Sequence, residues 1–421
     1  MVNGKEEDFI TQASQRLIKE THVKSALEAD KGSNAQLISW KVEDFTIKGD
    51  NYACVVTSIK VTYRQGGSEH KATYVAKCNP CRQHATLDEF VHMAFEKEAG
   101  FYQDLLPLLN TELIRIKHEP LRVAQCHFVH LVKGEEVIIL GDLRLEAFKM
   151  FSRQKGMDKA HSILVLKELA TLHAASLLVK AKTPEDLDVR YKYLQKDLSS
   201  LTDNENDKPT MFQKFALMSA RMIEKIGGYN NVVEWLKDFG PKANDVFKEQ
   251  VKKTPPFDVL CHGDCWNNNI LFRYDKAGVP VDVRLLDFQL CRKSSPATDL
   301  NYFTYTSLEG PNRKDNLQTF LKTYHDSFTK VLQNAGAPVP FTLEELRQEY
   351  HNKNLFGLLI GIMILPLVVS ESSEALDLSK AKGQKFLEEH LERMTNQLHN
   401  PVSRSRFLSM FEDMIEYGII S

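Results

Sequence analysis

Residues 258–290 read DVLCHGDCWNNNILFRYDKAGVPVDVRLLDFQL, and the fold can be worked outward from them. A short apolar run, Val259 to Cys261, leads into a polar loop, His262 to Asn269. Ile270 to Arg273 follow as a second strand, then a turn through Asp275 and Gly278, then a return strand from Val281 to Leu286. Strands joined this way are antiparallel neighbours. The flanking residues, Asn269 and Asp287, are therefore expected side by side, with Cα atoms roughly 4.5 to 5.5 Å apart in a simple register. An amide oxygen and a carboxylate converging there make a hard-oxygen site suited to Mg²⁺, which keeps several waters and shares substrate phosphates. Asp264 sits in the same loop, where a carboxylate can face a metal-bound phosphate and accept a proton from an incoming hydroxyl. HGD or DFQ alone also reads as an ordinary turn, because Asp and Asn favour turns for local hydrogen-bonding reasons. The spacing, the hairpin and the trailing Asp-Phe together carry the chemistry.

The whole chain has 421 residues, 43% hydrophobic, with 54 basic against 56 acidic side chains and a formal charge of −2. That length suits one large two-lobed enzyme or two to three domains, and the near-neutral balance argues against nucleic acid or a polybasic membrane surface as partner. The cysteines (Cys54, Cys78, Cys81, Cys126, Cys261, Cys265, Cys291) are scattered and odd in number, and the N-terminus MVNGKEEDFI is charged where a signal peptide is apolar. A reduced, cytoplasmic protein is the expectation. The continuously apolar stretch Leu355 to Val369, with Pro366 inside it, falls short of the roughly 20 residues that span a bilayer, so it predicts a buried core helix bent at the proline and no membrane span.

The periodicity changes along the chain. Phe9, Ala13 and Leu17, with Ile10 and Ile18 beside them, predict a short amphipathic helix. After Trp40 the pattern becomes strand-like: Val55 to Tyr63 alternates, the turn RQGGSE follows, and HKATYVAKC closes a hairpin near Lys77. From Leu87 to Leu106 the period returns to four, with Phe90, Ala94, Glu98, Tyr102 and Leu106 on one stripe. Strands are expected at CHFVHLV and EEVIILGDL. Beyond Gly141 the chain reads as helix, including residues 159–179, the stretch from Met211 to Lys253 and three segments after Phe341, apart from the hairpin quoted above.

The quoted segment resembles the protein-kinase-like phosphotransferases of small molecules, the group containing choline kinases and aminoglycoside phosphotransferases. HGDCWNNNILF, LLDFQL and SPATDLNYF are most similar to the ecdysteroid-kinase-like family. The resemblance runs from about Gly49 past Leu355. It implies an α+β, bilobal, protein-kinase-like fold: an N-terminal antiparallel sheet lobe with one main helix (1–140, with a helical extension 1–40) and a larger, mostly helical C-terminal lobe (141–421, with a helical insertion 184–256). It implies ATP with Mg²⁺ and transfer of the γ-phosphoryl group to a small-molecule alcohol such as a steroid. Carried over by position, it makes Asp264 the catalytic base, Asn269 and Asp287 the metal ligands, and His262 a brace of the catalytic loop. Asp299 would accept backbone N–H groups of that loop; a helix N-cap at the start of DLNYFTYTS is the alternative reading of Asp299, and both can hold.

The upstream half supplies the rest of such a site. A cation is needed on the α and β phosphates, with a carboxylate to hold it. Lys77 closes the hairpin, and Glu98 lies in the apolar stripe of the next helix, where a carboxylate is costly unless paired. Glu96 points roughly 160° away around the helix. The stretch KEAGFYQDLLP resembles the family at this helix, and IKGDNYACVV resembles its phosphate-covering turn, with Gly49 giving backbone freedom and Asn51 polar groups near the nucleotide; a plain turn before a strand reads the same way. One departure falls at the inter-lobe segment, where Gly141 stands in place of an acidic residue before Asp142.

Other features are weighed against plain structure. The pair Cys78 and Cys81 has no second pair at zinc spacing, and His161 and His173 read as packing residues on a helix. Phe212, Phe215, Met218, Met222, Tyr229, Trp235 and Phe239 read either as the wall of an apolar acceptor pocket facing Asp264 or as core. A peptide acceptor is disfavoured, since HGD lacks the arginine of protein kinases and no Ala-Pro-Glu follows Asp287. A catalytically silent nucleotide- or lipid-binding protein on the same scaffold is the alternative function.

Overall fold

The computed structural model describes residues 10–45, 54–81, 85–196, 210–368, 395–396 and 398–421. Gly49 and Asn51 lie outside these residues.

An antiparallel sheet comes first, built from β1 (Gln36–Asp44), β2 (Val55–Gln65), β3 (Ser68–Cys78), β4 (Cys126–His130) and β5 (Val137–Gly141) in the order β1-β2-β3-β5-β4. The β2–β3 hairpin closes through Gly66 and Gly67, whose φ values of 58° and 84° give the left-handed pair that matches strand twist. Strand alternation then sends Ile59, Val61, Tyr74 and Ala76 to a core shared with helix α1 (Glu20–Lys31). Lys77, between Ala76 and Cys78 of that core, takes the opposite face. Residues 36–40, expected within a helical extension, belong to β1. This strand sits at the sheet edge with most of its side chains exposed or half-buried, so it shows no apolar alternation from which to read it.

The next helix, α2 (Ala85–Gly100), passes into a single π-helical turn, Phe101–Leu105, and continues as α3 (Leu106–Arg115). Pro107 has no N–H to continue the α-helical ladder, and Gly100 lies so close to Tyr193 that a Cβ would stand 2.4 Å from its ring. Glu96 turns to the surface and pairs with Lys196, away from Glu98 as expected.

Beyond β5 the chain is mostly helical. Helix α4 (Lys159–Lys180) is long and apolar enough to cross a membrane, yet 78% of its apolar window is buried inside the protein, and it forms the centre of the lobe. A continuous core joins Val91 and Phe95 of α2 through Leu166 and Leu169 of α4 to Val259, Phe272 and Phe288 of the hairpin region. Two short strands have no counterpart in the sequence pattern: β6 (Lys149–Met150), which pairs with β8 (Ile270–Tyr274), and β10 (Arg292–Ser294), which pairs with β7 (Val259–Cys261). At two or three residues each, they are too short to show a period. Strand β9 (Pro280–Leu285) completes the predicted hairpin with β8.

The stretch from 211 divides into α5 (Met211–Ile226), α6 (Asn230–Phe239) and α7 (Ala243–Val251). Phe212, Met222 and Phe239 are buried in a second core with Trp266, Tyr302 and Phe356, while Phe215, Met218, Tyr229 and Trp235 pack partly buried against it. These residues are core, and the structure does not present them as an open acceptor wall. Helices α8 (Pro296–Ser307), α9 (Gly310–Asn334), α10 (Leu343–Asn352), α11 (Asn354–Val368) and α12 (Pro401–Glu416) follow. Pro366 falls in the last turn of α11, a buried core helix as predicted. Buried Arg313 fastens α12 to α9 through Asp413 at 2.7 Å. An antiparallel sheet lobe followed by a helical lobe is the protein-kinase-like arrangement that the motifs implied.

Candidate active site

Lys77 reaches the cleft between the lobes from the penultimate position of β3. Its ammonium pairs with Glu98 of α2 and lies 2.7 Å from Asp287 Oδ1, although Lys77 and Asp287 are 210 residues apart in sequence. Burial works against the charge on Lys77, but Asp287 and Glu98 outweigh it and hold the ammonium well above the usual lysine range. Glu98 is 2% exposed, and its Oε1 has no hydrogen-bond partner among the described residues. The carboxylate that stands on the apolar stripe of α2 thus has its counter-charge in Lys77.

Asp287 differs from expectation in its register. Ile270 pairs with Leu285 and the Leu286 N–H donates to Asn269 O at 2.9 Å, so Asn269 faces Leu286 and not Asp287. The offset lies within the hairpin, whose pairing steps by one residue between Arg273 and Tyr274 and ends at Leu285; beyond it Asp287 has φ of 67°, a left-handed backbone that turns its carboxylate toward Lys77. For a residue with a Cβ this costs on the order of 1 to 2 kcal/mol and persists only where surrounding contacts hold it.

Asn269 instead meets Asp264. Its amide nitrogen donates to the Asp264 carbonyl at 2.9 Å and to Asp264 Oδ2 at 3.0 Å, leaving its amide oxygen as the atom available to a cation. Asp264 also accepts from Tyr302 O–H on Oδ1 at 2.6 Å and from Gln289 Nε2 on Oδ2 at 3.1 Å. Burial, then the nearby negative charge of Asp287, pushes its carboxyl up to about 6, against the pull of these three donors.

The loop carrying Asp264 is held from beneath. Asp299, fully buried, accepts the N–H of His262 on Oδ2 at 2.6 Å and that of Gly263 on Oδ1 at 2.9 Å, and His173 Nε2 lies 3.0 Å from Oδ2. Burial favours the neutral acid, but the hydrogen bond from His173, with the neighbouring imidazoles and the Arg292 guanidinium, holds Asp299 below the usual carboxylate range. The N-cap of α8 is Ser295, so Asp299 is not the cap. His262 Nδ1 accepts the Asp264 N–H at 3.2 Å, which assigns the ring proton to Nε2, donating to Leu286 O at 3.0 Å. One imidazole thus ties the loop to the strand leading into Asp287. Gly263 has φ of 84°, and a Cβ there would stand 2.0 Å from Leu290 O, so no arginine fits where protein kinases carry one.

Three residues of this site were missed at the level of sequence: Tyr302, Gln289 and His173. The DFQ and SPATDLNYF motifs contain Gln289 and Tyr302, but nothing local in the sequence links either to Asp264, and the helical setting of His173 predicts packing.

The Ecdysteroid kinase-like family model matches residues 48–337. A kinase-like protein of Caenorhabditis elegans is 24% identical over 195 residues, covering 46% of this chain and 47% of that relative, so the match spans about half of its length. Among solved structures, Plasmodium vivax ethanolamine kinase is 13% identical, with 90% of this chain and 84% of that one covered and a TM-score of 0.40. A choline kinase from Streptococcus pneumoniae is likewise 13% identical, with 90% and 98% covered and a TM-score of 0.38. The family match takes in the Lys77 strand, the Glu98 helix, the Asp264 loop and Asp287 within well over half of the sequence, and the chain belongs to the ecdysteroid kinase-like family.

Proposed function

We propose that this protein is an ATP-dependent phosphotransferase that moves the γ-phosphoryl group onto a hydroxyl of a small molecule. The observation that carries the reading is the convergence of Lys77, Glu98 and Asp287 with Asp264 and Asn269 in one cleft, drawn from both lobes. Such a set is wanted when charge on a triphosphate must be neutralised and an incoming hydroxyl aimed.

The donor set fits Mg²⁺. Asn269 offers an amide oxygen, Asp287 has one oxygen not engaged by Lys77, and both are the hard donors this ion takes beside water and phosphate. When bound, the ion supplies positive charge against the phosphate oxygens. The chain's own groups do the remainder. Lys77 offers its ammonium to the α and β phosphates, Glu98 keeps that ammonium in place, and Asp264 accepts the proton of the attacking hydroxyl.

For the acceptor, a steroid alcohol is the first choice, and it rests on the family's description. The aromatic side chains of the insertion add nothing to it, because they pack into the core. The seven cysteines form no disulfide with one another, which supports a reduced, cytoplasmic setting.

The test is incubation with Mg²⁺, ATP and a panel of alcohols, steroids first, with the phosphorylated product detected by mass. A product that forms with the parent and is lost with Asp264→Asn is the expected result. ATP left intact by the parent across the panel and in water overturns the reading in favour of a silent binding protein.

A further inference from the structure

We propose that Tyr302 and Gln289 are positioning residues which close three-quarters of the Asp264 carboxylate together with Asn269, leaving one site on Oδ1 to receive the acceptor's hydroxyl. The inference rests on the phosphotransferase reading and deepens it by assigning the working oxygen and the side chains that aim it.

A carboxylate has about four lone-pair positions, two on each oxygen. On Oδ2 both are taken, by the amide N–H groups of Asn269 at 3.0 Å and Gln289 at 3.1 Å. On Oδ1 one is taken, by the Tyr302 O–H at 2.6 Å. The remaining position is therefore on Oδ1, and a hydroxyl approaching Asp264 meets an oxygen whose direction is already fixed.

Each donor is itself anchored. The Asn269 amide also bonds the Asp264 carbonyl. Gln289 follows Phe288, whose ring stacks on Phe101 with centroids 3.5 Å apart and lies 4.5 Å from the His262 ring. Tyr302 is 1% exposed, with its ring in the core shared with Trp266 and Phe356. It also stands three residues after Asp299 on α8, and residues so spaced share a helix face. That face sets the main chain of the loop through Asp299 and the side chain of the base through Tyr302.

In the transfer step the acceptor oxygen forms its bond to the γ-phosphorus as the bond from that phosphorus to the departing ADP oxygen breaks. The acceptor's proton passes to Asp264 Oδ1, giving a neutral carboxylic acid that later releases it to water. Tyr302 and Gln289 keep their own protons throughout.

Steady-state turnover of Mg²⁺ and ATP, with water as acceptor, tests the assignment in the full chain. Tyr302→Phe is expected to lower kcat about tenfold to a hundredfold and leave KM for ATP within about twofold, since a small misplacement of a reacting group costs rate and not nucleotide binding. Gln289→Met keeps the length of the side chain, removes its donor, and is expected to lower kcat about threefold to tenfold with the same KM. Gln289 is half-buried, so this variant carries the test if Tyr302→Phe does not fold. Stabilisation of each variant by Mg²⁺ and ATP in a thermal melt should equal that of the parent. Variants that match the parent in kcat, or that lose kcat and nucleotide stabilisation together, overturn the inference alone. A parent that turns over ATP neither in water nor with any alcohol of the panel overturns the phosphotransferase reading and the inference with it.

Discussion

The two flanks of the cleft hold their charges by different means. On the sheet side, Lys77 sits between two carboxylates, Glu98 and Asp287, and the grip is ionic. On the helical side, Asp264 is held by neutral donors from Tyr302, Gln289 and Asn269, and its loop hangs by main-chain N–H groups from Asp299. The difference follows from what each group must do. A cation that offers fixed charge to a phosphate benefits from anionic neighbours that keep it protonated. A carboxylate that must gain a proton does not benefit from an adjacent cation, which depresses its basicity; neutral donors orient it at a smaller cost.

The largest effect should come from removing the base. Asp264→Asn keeps the shape and most of the donors' contacts but cannot take the proton, so turnover is expected to fall about a thousandfold while stabilisation by Mg²⁺ and ATP persists. Turnover assays beside thermal melts read both. Retained turnover would mean that the helical flank does not do the acid–base work.

Next is Asp299→Ala, which strands the N–H groups of His262 and Gly263 in the interior and leaves His173 without its carboxylate. Removing one member of such a buried set costs about 3 kcal/mol or more, and chemical denaturation should show the loss. On the other flank, Glu98→Gln keeps the size of the partner but removes its charge. Turnover is expected to fall about tenfold, a loss of about 1.4 kcal/mol, with KM for ATP rising as Lys77 loses part of its hold.

The smallest effect concerns Glu168, a buried carboxylate in the helical lobe away from the Asp264 loop. It accepts the Arg122 N–H at 2.7 Å, and burial pushes it up to about 7. A folded pKa above the unfolded value means that the folded protein binds the proton more tightly, so this group opposes folding in full above pH 7 and progressively less as pH falls toward the ordinary glutamate range. Glu168→Gln should therefore melt a few degrees above the parent at pH 8, with the gap shrinking by pH 5. A gap independent of pH would show that Glu168 does not titrate in this window.

What could be read from sequence was what local periodicity encodes. The β2–β3 hairpin, the stripe carrying Glu98 and the β8–β9 hairpin each repeat over a few residues, and the anomaly of a carboxylate on an apolar stripe was enough to pair Glu98 with Lys77. The placement of Asn269 opposite Asp287 is off by one residue, because the irregularity in pairing between Arg273 and Tyr274 leaves no mark in a two-residue period. Tyr302, Gln289 and His173 act at separations of 38, 25 and 126 residues from their carboxylates, and a buried Tyr or His on a helix is ordinary core chemistry. Two signals were present all the same: a glutamine where protein kinases have glycine after Asp-Phe, and a tyrosine one helical turn beyond Asp299.

The most direct measurement is a crystal structure with Mg²⁺ and a non-hydrolysable ATP analogue. The prediction is one Mg²⁺ about 2.0 to 2.1 Å from the Asn269 amide oxygen and from an Asp287 carboxylate oxygen, with Lys77 on the phosphates and Asp264 facing the terminal one. A triphosphate seated elsewhere, or an ion that ignores both Asn269 and Asp287, would contradict it.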